Sequence, residues 1–251
     1  MDLRESNQSN ANRHPWELAR ATALRDIVET CITPRPRSIL DIGCGDGYLI
    51  DALFSAGECV INAIDVHMTE MQRNEIAKIR PRVLFHNSYQ TLGGSKHDLI
   101  TMFDVLEHIE DDAAFLRETI HRFAEPGGGI FLTVPAFQFL FSSHDLFLKH
   151  CRRYSQARLL AVLGQLGVQV TASGYLFGGL LPVRTAAVLL ERLFGASGSS
   201  GHGVGRWRQG AIITNIIKGV LDADNCFLTR LSRMGITLPG LTVWALCKIP
   251  R

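Results

Sequence analysis

A short glycine-rich segment carries the clearest chemical signal in the chain, the string DIGCGDG at residues 41–47. Glycines allow a sharp turn and let a ligand lie against bare backbone at the start of a helix. A dinucleotide-binding loop needs a further small residue where this chain has Tyr48, and no G-K-[ST] ending marks a phosphate loop. Because Asp41 precedes the first glycine by two places, the loop favours a ligand that carries a sulfonium and an ammonium group over a pyrophosphate.

A second acidic residue supports a nucleoside ligand. Asp65 ends the next predicted strand, 24 residues after Asp41. A carboxylate at that position can accept hydrogen bonds from both hydroxyls of a ribose. The glycine loop and this carboxylate together are a much more specific signal than the loop alone.

Alternating strand and helix patterns must position these residues. Apolar runs predict strands at 38–42, 60–66, 83–86, 98–103 and 129–134, and helical periodicity lies between them at 48–55, 69–79 and 111–123. This alternation predicts an α/β fold with a doubly wound, mostly parallel sheet and helices on both faces. Ligands bind at the carboxyl ends of the strands in such a sheet.

The remaining segments predict the domain organisation. Residues 1–36 hold a polar start and a helix that either forms a lid or packs on the core. We predict a core made of residues 37–178 and 239–251, and a helical insertion at 179–238 with helices at 183–194 and 211–231. The glycine/serine run at 195–205 within this insertion is typical of a flexible loop.

Four strings from the core resemble the successive motifs of class I S-adenosylmethionine-dependent methyltransferases. They are ILDIGCGDGYL, INAIDV, HDLITMFDVLEHIEDD and EPGGGIFLTVP, and the resemblance covers residues 38 to about 134. It implies a seven-stranded Rossmann-like sheet whose last strand, here 241–249, is antiparallel. It also implies S-adenosylmethionine as the cofactor.

The resemblance also implies a role for each matching residue. The three loop glycines surround the methionine moiety, Asp65 holds the ribose, and Val66 flanks the adenine. Ser88 is the nearest match to an adenine-binding aspartate of the family. The implied cofactor-binding residues are Asp41, Gly43, Cys44, Gly45, Gly47, Asp65, Val66, Ser88, Phe103 and Asp104.

Candidate catalytic residues lie in the long connection after the fifth strand. We predict that His144 or His150 is the base, that Asp145 orients it, and that Arg153 holds an anionic group of the acceptor. The alternative is that the histidines cap this loop and that the arginines anchor it through carboxylates.

A metal site is a further hypothesis, for which the sequence gives only weak support. Asp104, Glu107, His108 and a downstream histidine resemble the carboxylate–histidine cluster with which some RNA-end and quinone O-methyltransferases of this superfamily hold a divalent cation. Glu107 can equally stand near the positive end of the next helix. We therefore predict no metal.

Composition limits the classes of partner and location. A net charge of +2, from 26 basic and 24 acidic residues, gives no electrostatic reason to expect nucleic acid. The six cysteines form no C-x-x-C pair, the first residues do not resemble a signal peptide, and charges interrupt the longest apolar stretch. We expect a cytoplasmic protein.

The sequence thus predicts methyl transfer to a small-molecule or lipid-like acceptor, with oxygen as the favoured target. The alternatives are a catalytically inactive protein that keeps the fold for interactions, and a nucleic-acid methyltransferase. The apolar insertion 179–238 could cover a hydrophobic acceptor, rest peripherally on a membrane surface, or form a dimer contact. The sequence leaves the acceptor and the oligomeric state open.

Overall fold

The computed structural model describes residues 13–55, 58–194, 207 and 209–251. The glycine/serine run at 195–205 and nearly all of the polar start, residues 1–12, lie outside these ranges. The strands are β1 (Ser38–Ile42), β2 (Val60–Ile64), β3 (Val83–His86), β4 (His97–Phe103), β5 (Ala124–Pro135), β6 (Gln169–Leu176) and β7 (Thr242–Lys248). The α-helices of the described residues are α1 (Pro15–Cys31), α2 (Tyr48–Leu53), α3 (Glu70–Ile79), α4 (Asp112–Phe123), α5 (Ser143–Leu148), α6 (Gln156–Gly164), α7 (Leu181–Phe194) and α8 (Ala211–Arg233).

The seven strands form one sheet in the order β3-β2-β1-β4-β5-β7-β6. Strands β1 to β5 are parallel to one another, whereas β7 is antiparallel to both β5 and β6. This arrangement confirms the predicted mostly parallel sheet with an antiparallel last strand. Helices flank the sheet, as the alternation of patterns predicts.

The central strands are apolar on both faces because helices cover both faces. Ile39 and Leu40 are adjacent in β1 and fully buried, yet they belong to different halves of the core. Ile39 shares its cluster with Leu24 of α1, and Leu40 shares its cluster with Leu116 of α4. Successive side chains of a strand point to opposite faces, so a continuous apolar run requires two covered faces.

The fifth strand is longer than the sequence pattern predicts. It begins at Ala124, five residues before the predicted start at Gly129, because Ala124 still pairs with His97 at the start of β4. A shift in register between His97 and Leu99 absorbs the glycine-rich string that lies between these pairs. Such an irregularity cannot be read from alternation alone.

A crevice forms where the order of the strands reverses. Strand β1 lies between β2 and β4, so the connections that leave the carboxyl ends of β1 and β4 run towards opposite edges of the sheet. This divergence leaves the space in which doubly wound sheets bind ligands. The glycine loop after β1 and the segment 104–108 after β4 border it.

The second helix of the segment 179–238 packs directly on the core. Helix α8 contacts α1 and β6. Its buried Asn225 accepts a hydrogen bond from the backbone N–H of Phe177 at 2.8 Å, and Asp224 accepts one from Gly179. Among the described helices none is long and apolar enough to cross a membrane.

The Asn225 contact generates a prediction about stability. Phe177 has a φ of +61° and lies in a turn. Among the described residues, Asn225 is the acceptor for the N–H of Phe177. We expect Asn225→Ala to lower the free energy of unfolding by about 1–3 kcal/mol, because a buried donor loses its partner. Urea denaturation measures this effect. Asn215→Ala, an exposed site on the same helix, should change it by less than about 0.5 kcal/mol, and equal losses in both variants would contradict the assignment.

Candidate active site

The glycine loop has the bare backbone that its composition predicts. Gly43, Gly45 and Gly47 have φ angles of +73°, +55° and +68°, a region that disfavours other residues. A Cβ on Gly43 would lie 2.5 Å from Cγ2 of Val105, and a Cβ on Gly47 would lie 2.5 Å from the ring of Phe85. The loop therefore packs so closely against Phe85 of β3 and Val105 after β4 that a side chain on Gly47 or Gly43 would not fit.

Asp65 connects this loop to the end of β2. Its Oδ2 accepts a hydrogen bond from the N–H of Gly45 at 3.2 Å, and its Oδ1 accepts one from the N–H of His67 at 2.9 Å. Each carboxylate oxygen has a second lone pair for a ligand. This placement suits the role in ribose binding that the sequence predicts, which remains a prediction.

A buried carboxyl lies directly below the loop. Asp41, at 2% exposure, accepts a hydrogen bond from Thr101 Oγ1 of the neighbouring strand at 2.6 Å. Burial raises the pKa of Asp41 to about 7. A positively charged group in the crevice would favour the ionised form, so the position suits the charge of the ligand that the sequence indicates.

Helix α1 covers the crevice, and the sequence analysis missed the residues with which it does so. Trp16, Glu17 and Arg20 line the same cavity as Cys44 and Phe103. Arg20 is buried and binds Asp104 Oδ2 at 2.6 Å and Thr133 Oγ1 at 2.6 Å. The sequence contains a pattern from which the position of Arg20 could have been predicted. Arg20 follows Trp16 by one helical turn and therefore lies on the side of α1 that faces the core.

Asp104 is held in an unusual conformation at the end of β4. Its φ of +58° is rare for a residue with a side chain, and such strain clusters at functional sites. Burial opposes ionisation, but the charge of Arg20 together with hydrogen bonds from Thr133 and Arg20 outweighs it and lowers the pKa of Asp104. Phe103 lines the crevice and Asp104 follows it in an ion pair with Arg20; their contact with the cofactor remains a prediction.

The predicted catalytic segment contains a histidine–carboxylate pair. Asp145 in α5 is completely buried, and its Oδ1 lies 2.8 Å from Nδ1 of His150 and 2.7 Å from Nε of Arg153. Burial alone would raise the pKa of Asp145, yet hydrogen bonds from His150 and Arg153 lower it overall. The sequence predicts Arg153 as an acceptor-binding residue, but the structure pairs this side chain with Asp145.

This pair lies against the segment that follows β4. The ring centroids of His150 and His108 are 4.7 Å apart, and the N–H of Cys151 donates to the carbonyl of Glu107 at 2.6 Å. Arg152 binds Asp112 at 3.0 Å, so both arginines anchor the loop, the alternative that the sequence leaves open. His144 lies in α5, next to Asp145 in the chain, and Asp145 contacts the ring of His150.

The two candidate adenine contacts lie at the far side of the loop. Val66 follows β2 and is 56% exposed. The hydroxyl of Ser88 accepts a hydrogen bond from the N–H of Gln90 and begins a short 3-10 turn, Tyr89–Leu92. Their contact with adenine remains a prediction.

The fold and the crevice define a Rossmann-like α/β protein built to bind a nucleoside. A family model described as a methyltransferase domain matches residues 16–173, and the chain belongs to that family. The residues present suit S-adenosylmethionine, the cofactor that the sequence predicts, because the glycine turn has bare backbone and the buried carboxyl of Asp41 at the crevice favours a cationic ligand.

Known proteins are similar to this chain in part of its length or in fold. The ubiquinone biosynthesis O-methyltransferases of Pseudomonas paraeruginosa and Pseudomonas aeruginosa are 27% and 28% identical to it over 106 residues. Each alignment covers 39% of this chain and 44% of the relative, so the match spans less than half of these proteins.

Solved structures share the fold at low sequence identity. The N-methyltransferase NodS from Bradyrhizobium japonicum, in complex with S-adenosylhomocysteine, has a TM-score of 0.53 and 15% identity, with 99% of this chain and 95% of NodS covered. The [4+2]-cyclase SpnF has a TM-score of 0.56 and 18% identity, with 98% of this chain and 85% of SpnF covered.

The position of Asp65 generates a prediction about cofactor affinity. Asp65→Ala should weaken the binding of S-adenosylhomocysteine by one to two orders of magnitude, about 1.4–2.7 kcal/mol, because a charge-assisted pair with the ribose is lost. Isothermal titration calorimetry measures this affinity. Glu75→Ala, which removes an exposed carboxylate from α3, serves as the control. Equal affinity in wild type and Asp65→Ala would show that the ribose lies elsewhere.

Proposed function

We propose that this methyltransferase methylates a hydroxyl oxygen of a small or lipid-like acceptor. The observation that carries the proposal is the Asp145–His150 pair, placed against the segment that follows the carboxyl end of β4. A base at this place can serve an acceptor beside the methyl end of the cofactor. The names of the relatives from Pseudomonas, ubiquinone biosynthesis O-methyltransferases, support oxygen as the target.

S-adenosylmethionine supplies an electrophilic methyl group when it is bound. The loop glycines and Asp41 hold its methionine end, Asp65 holds the ribose, and Val66 and Ser88 stand beside the adenine. Helix α1, with Trp16 and Arg20, covers this part of the crevice. Exclusion of water there strengthens the electrostatic contacts between the crevice and its ligand.

His150 takes the proton of the acceptor hydroxyl. The carboxylate of Asp145 accepts a hydrogen bond from the Nδ1–H of His150, and in this tautomer the lone pair of Nε2 is available to act as the base. Asp145 also stabilises the imidazolium that forms, and Arg153 holds Asp145 in place from its other side. The imidazolium then returns its proton to water. The step needs only one of the two predicted bases, and we assign it to His150 because its Nδ1 lies 2.8 Å from Asp145.

The role of His150 can be tested with catechols that carry either no alkyl tail or a long one. For whichever catechol the wild type methylates, His150→Ala should lower kcat by about 10²- to 10⁴-fold, the usual contribution of a general base. The affinity for S-adenosylhomocysteine should not change. Production of S-adenosylhomocysteine and the mass of the product measure turnover.

His121→Ala is the matched control, because His121 is exposed on α4. Equal kcat in the His150→Ala and His121→Ala variants would contradict the role of His150. Tight binding of S-adenosylhomocysteine without methylation of any acceptor would favour the alternative, a protein that keeps the fold only for interactions.

The proposal that the acceptor is lipid-like is based on an exposed apolar face of α7. The residues of this face recur at helical spacing, and the face has no partner among the described residues. It consists of Val183, Ala186, Ala187, Leu190, Leu193 and Phe194. Leu193 and Phe194 are each 75% exposed. A stripe of this kind on an amphipathic helix is typical of contact with a membrane interface.

Helix α7 also leads from the surface to the catalytic segment. Arg184 donates to the hydroxyl of Ser142 at 2.7 Å, and the N–H of Ser142 donates to Asp145 at 3.0 Å. Helix α8 carries a second exposed stripe, which includes Ile212, Ile216, Val220 and Phe227. We therefore propose that both stripes rest on an anionic bilayer surface from which the acceptor reaches His150.

Vesicle flotation tests this membrane contact. Leu190→Gln with Leu193→Gln should lower the partition coefficient on anionic phosphatidylglycerol vesicles about tenfold, about 1.4 kcal/mol, because apolar surface is lost from the interface. The matched control is Met71→Gln with Ile79→Gln on α3, which removes two equally exposed apolar side chains. Wild-type protein that does not float at all, or equal losses in both double variants, would contradict the proposal.

A further inference from the structure

A chain of side-chain hydrogen bonds runs from the turn after β3 through β2 to the start of β4. At its outer end, Thr91 Oγ1 lies 2.9 Å from Nδ1 of His86, and Nε2 of His86 lies 2.9 Å from Oδ1 of Asn62. At its inner end, Nδ2 of Asn62 lies 3.3 Å from Nε2 of His97, whose Nδ1 lies 3.4 Å from the carbonyl oxygen of Phe123. None of these residues has a role in the sequence predictions.

The bonds of this hydrogen-bond chain all point in one direction. A carbonyl oxygen can only accept, so Nδ1 of His97 donates to Phe123, and Nε2 of His97 accepts from the amide of Asn62. Oδ1 of Asn62 then accepts from Nε2 of His86, which leaves a lone pair on Nδ1 for the hydroxyl of Thr91. The carbonyl of Phe123 thus sets the tautomer of both histidines.

Both histidines are neutral when the hydrogen-bond chain has this direction. His97 is 1% exposed, and burial lowers its pKa. Burial also lowers the pKa of His86, and the positive charge of Arg73 lowers it further. A neutral ring offers one donor and one acceptor, so each ring nitrogen faces a partner of the opposite kind.

His86 joins the two places at which the nucleoside is predicted to bind. Its carbonyl accepts a hydrogen bond at 3.1 Å from the N–H of Asp65, the predicted ribose ligand. Its ring contacts Thr91 in the turn Tyr89–Leu92, which begins directly after Ser88. The hydroxyl proton of Thr91 faces a second acceptor, the carbonyl oxygen of Ser88, at 2.7 Å. A three-centre bond of this kind fixes the backbone of Ser88 relative to the ring of His86.

The hydroxyl of Ser88 is arranged to accept a further hydrogen bond. It donates to Oε1 of Gln90 and accepts from the N–H of Gln90 at 3.3 Å. A hydroxyl has one proton and two lone pairs, so one lone pair remains for a ligand. The amino group of adenine can donate to it, whereas the carbonyl oxygen of hypoxanthine has no proton to give.

We propose that His86 is a positioning residue that makes the nucleoside site selective for adenine. Through Thr91, His86 holds Ser88 so that its free lone pair meets the amino group of the base. Asn62 and His97 hold the ring of His86 in turn. A group that is ordered before the ligand arrives loses less conformational freedom on binding. This inference rests on the adenine contact of Ser88 in the proposed function and adds the residues that support this contact.

Two nucleosides that differ only in the base test this role in the full chain. S-inosylhomocysteine has an oxygen in place of the amino group of S-adenosylhomocysteine, and isothermal titration calorimetry measures both affinities. Thr91→Val should weaken the binding of S-adenosylhomocysteine about three- to tenfold, the net worth of a hydrogen bond, and that of S-inosylhomocysteine by less than about twofold. Because Thr91 is exposed, its substitution leaves the core intact.

Thr91→Ser keeps the hydroxyl and should bind both nucleosides like the wild type. Thr22→Val is the matched control, because Thr22 is exposed and its hydroxyl bonds only within α1. Equal losses for the two nucleosides in Thr91→Val would overturn the proposal, since the defect would then be general. Binding by Thr91→Ser that is as weak as that of Thr91→Val would also overturn it. Failure of the proposed methyl transfer is distinguishable, because these affinities do not depend on an acceptor.

Nuclear magnetic resonance tests the direction of the hydrogen-bond chain. Long-range ¹H–¹⁵N spectra of the histidine rings report which nitrogen carries the proton. We expect the proton on Nε2 of His86 and on Nδ1 of His97, and the His86→Ala variant identifies the signals of the first ring. The opposite tautomer of His86 would overturn the proposal, because its Nδ1 could then not accept from Thr91.

Discussion

The close approach of two loops at the centre of the sheet is the constraint on which the rest of the molecule depends. The loop after β1 touches Val105 after β4 at Gly43, where no Cβ can be accommodated. This contact sets the width of the crevice, and it sets the distance between the cofactor loop and the segment that carries Asp104 and Glu107. A side chain at Gly43 would push the two segments apart and separate the cofactor from the groups that serve the acceptor.

Four carboxyl groups lie at or near this crevice, three of them buried and Asp104 partly exposed, and their surroundings give them different states. Asp104 and Asp145 have basic partners that keep them ionised. Asp41 has only a hydroxyl partner, so burial raises its pKa to about 7, and Glu107 has no partner among the described residues. The two carboxylates with basic partners, Asp104 and Asp145, position Arg20 and His150. Of the two without one, Asp41 lines the crevice, where a cationic ligand would favour its ionised form.

The helices that carry the proposed membrane stripes are fixed to the catalytic machinery rather than attached at a distance. Helix α8 holds the turn at Phe177 through Asn225, and α7 reaches the Asp145–His150 pair through Arg184 and Ser142. Hydrogen bonds therefore join the exposed apolar stripe of α7 to the segment that contains the proposed base. This arrangement connects the apolar surface of the chain to its chemistry.

The sequence by itself determined the sheet, the glycine loop and the class of enzyme, because these depend on local patterns. The periodicity of apolar residues indicates which faces of a helix or strand are buried. Three glycines within so short a segment identify a tight turn from the sequence alone. The sequence did not predict that Arg20 of α1 contacts Asp104 and Thr133 over the crevice. It also did not predict the early start of β5, which a register shift beside β4 produces. Only the tertiary structure decided that Asp145 serves His150 and that Asp104 pairs with Arg20 instead of joining Glu107 and His108. Those pairings join residues up to 84 positions apart, and no local preference determines which distant charge a buried side chain will meet.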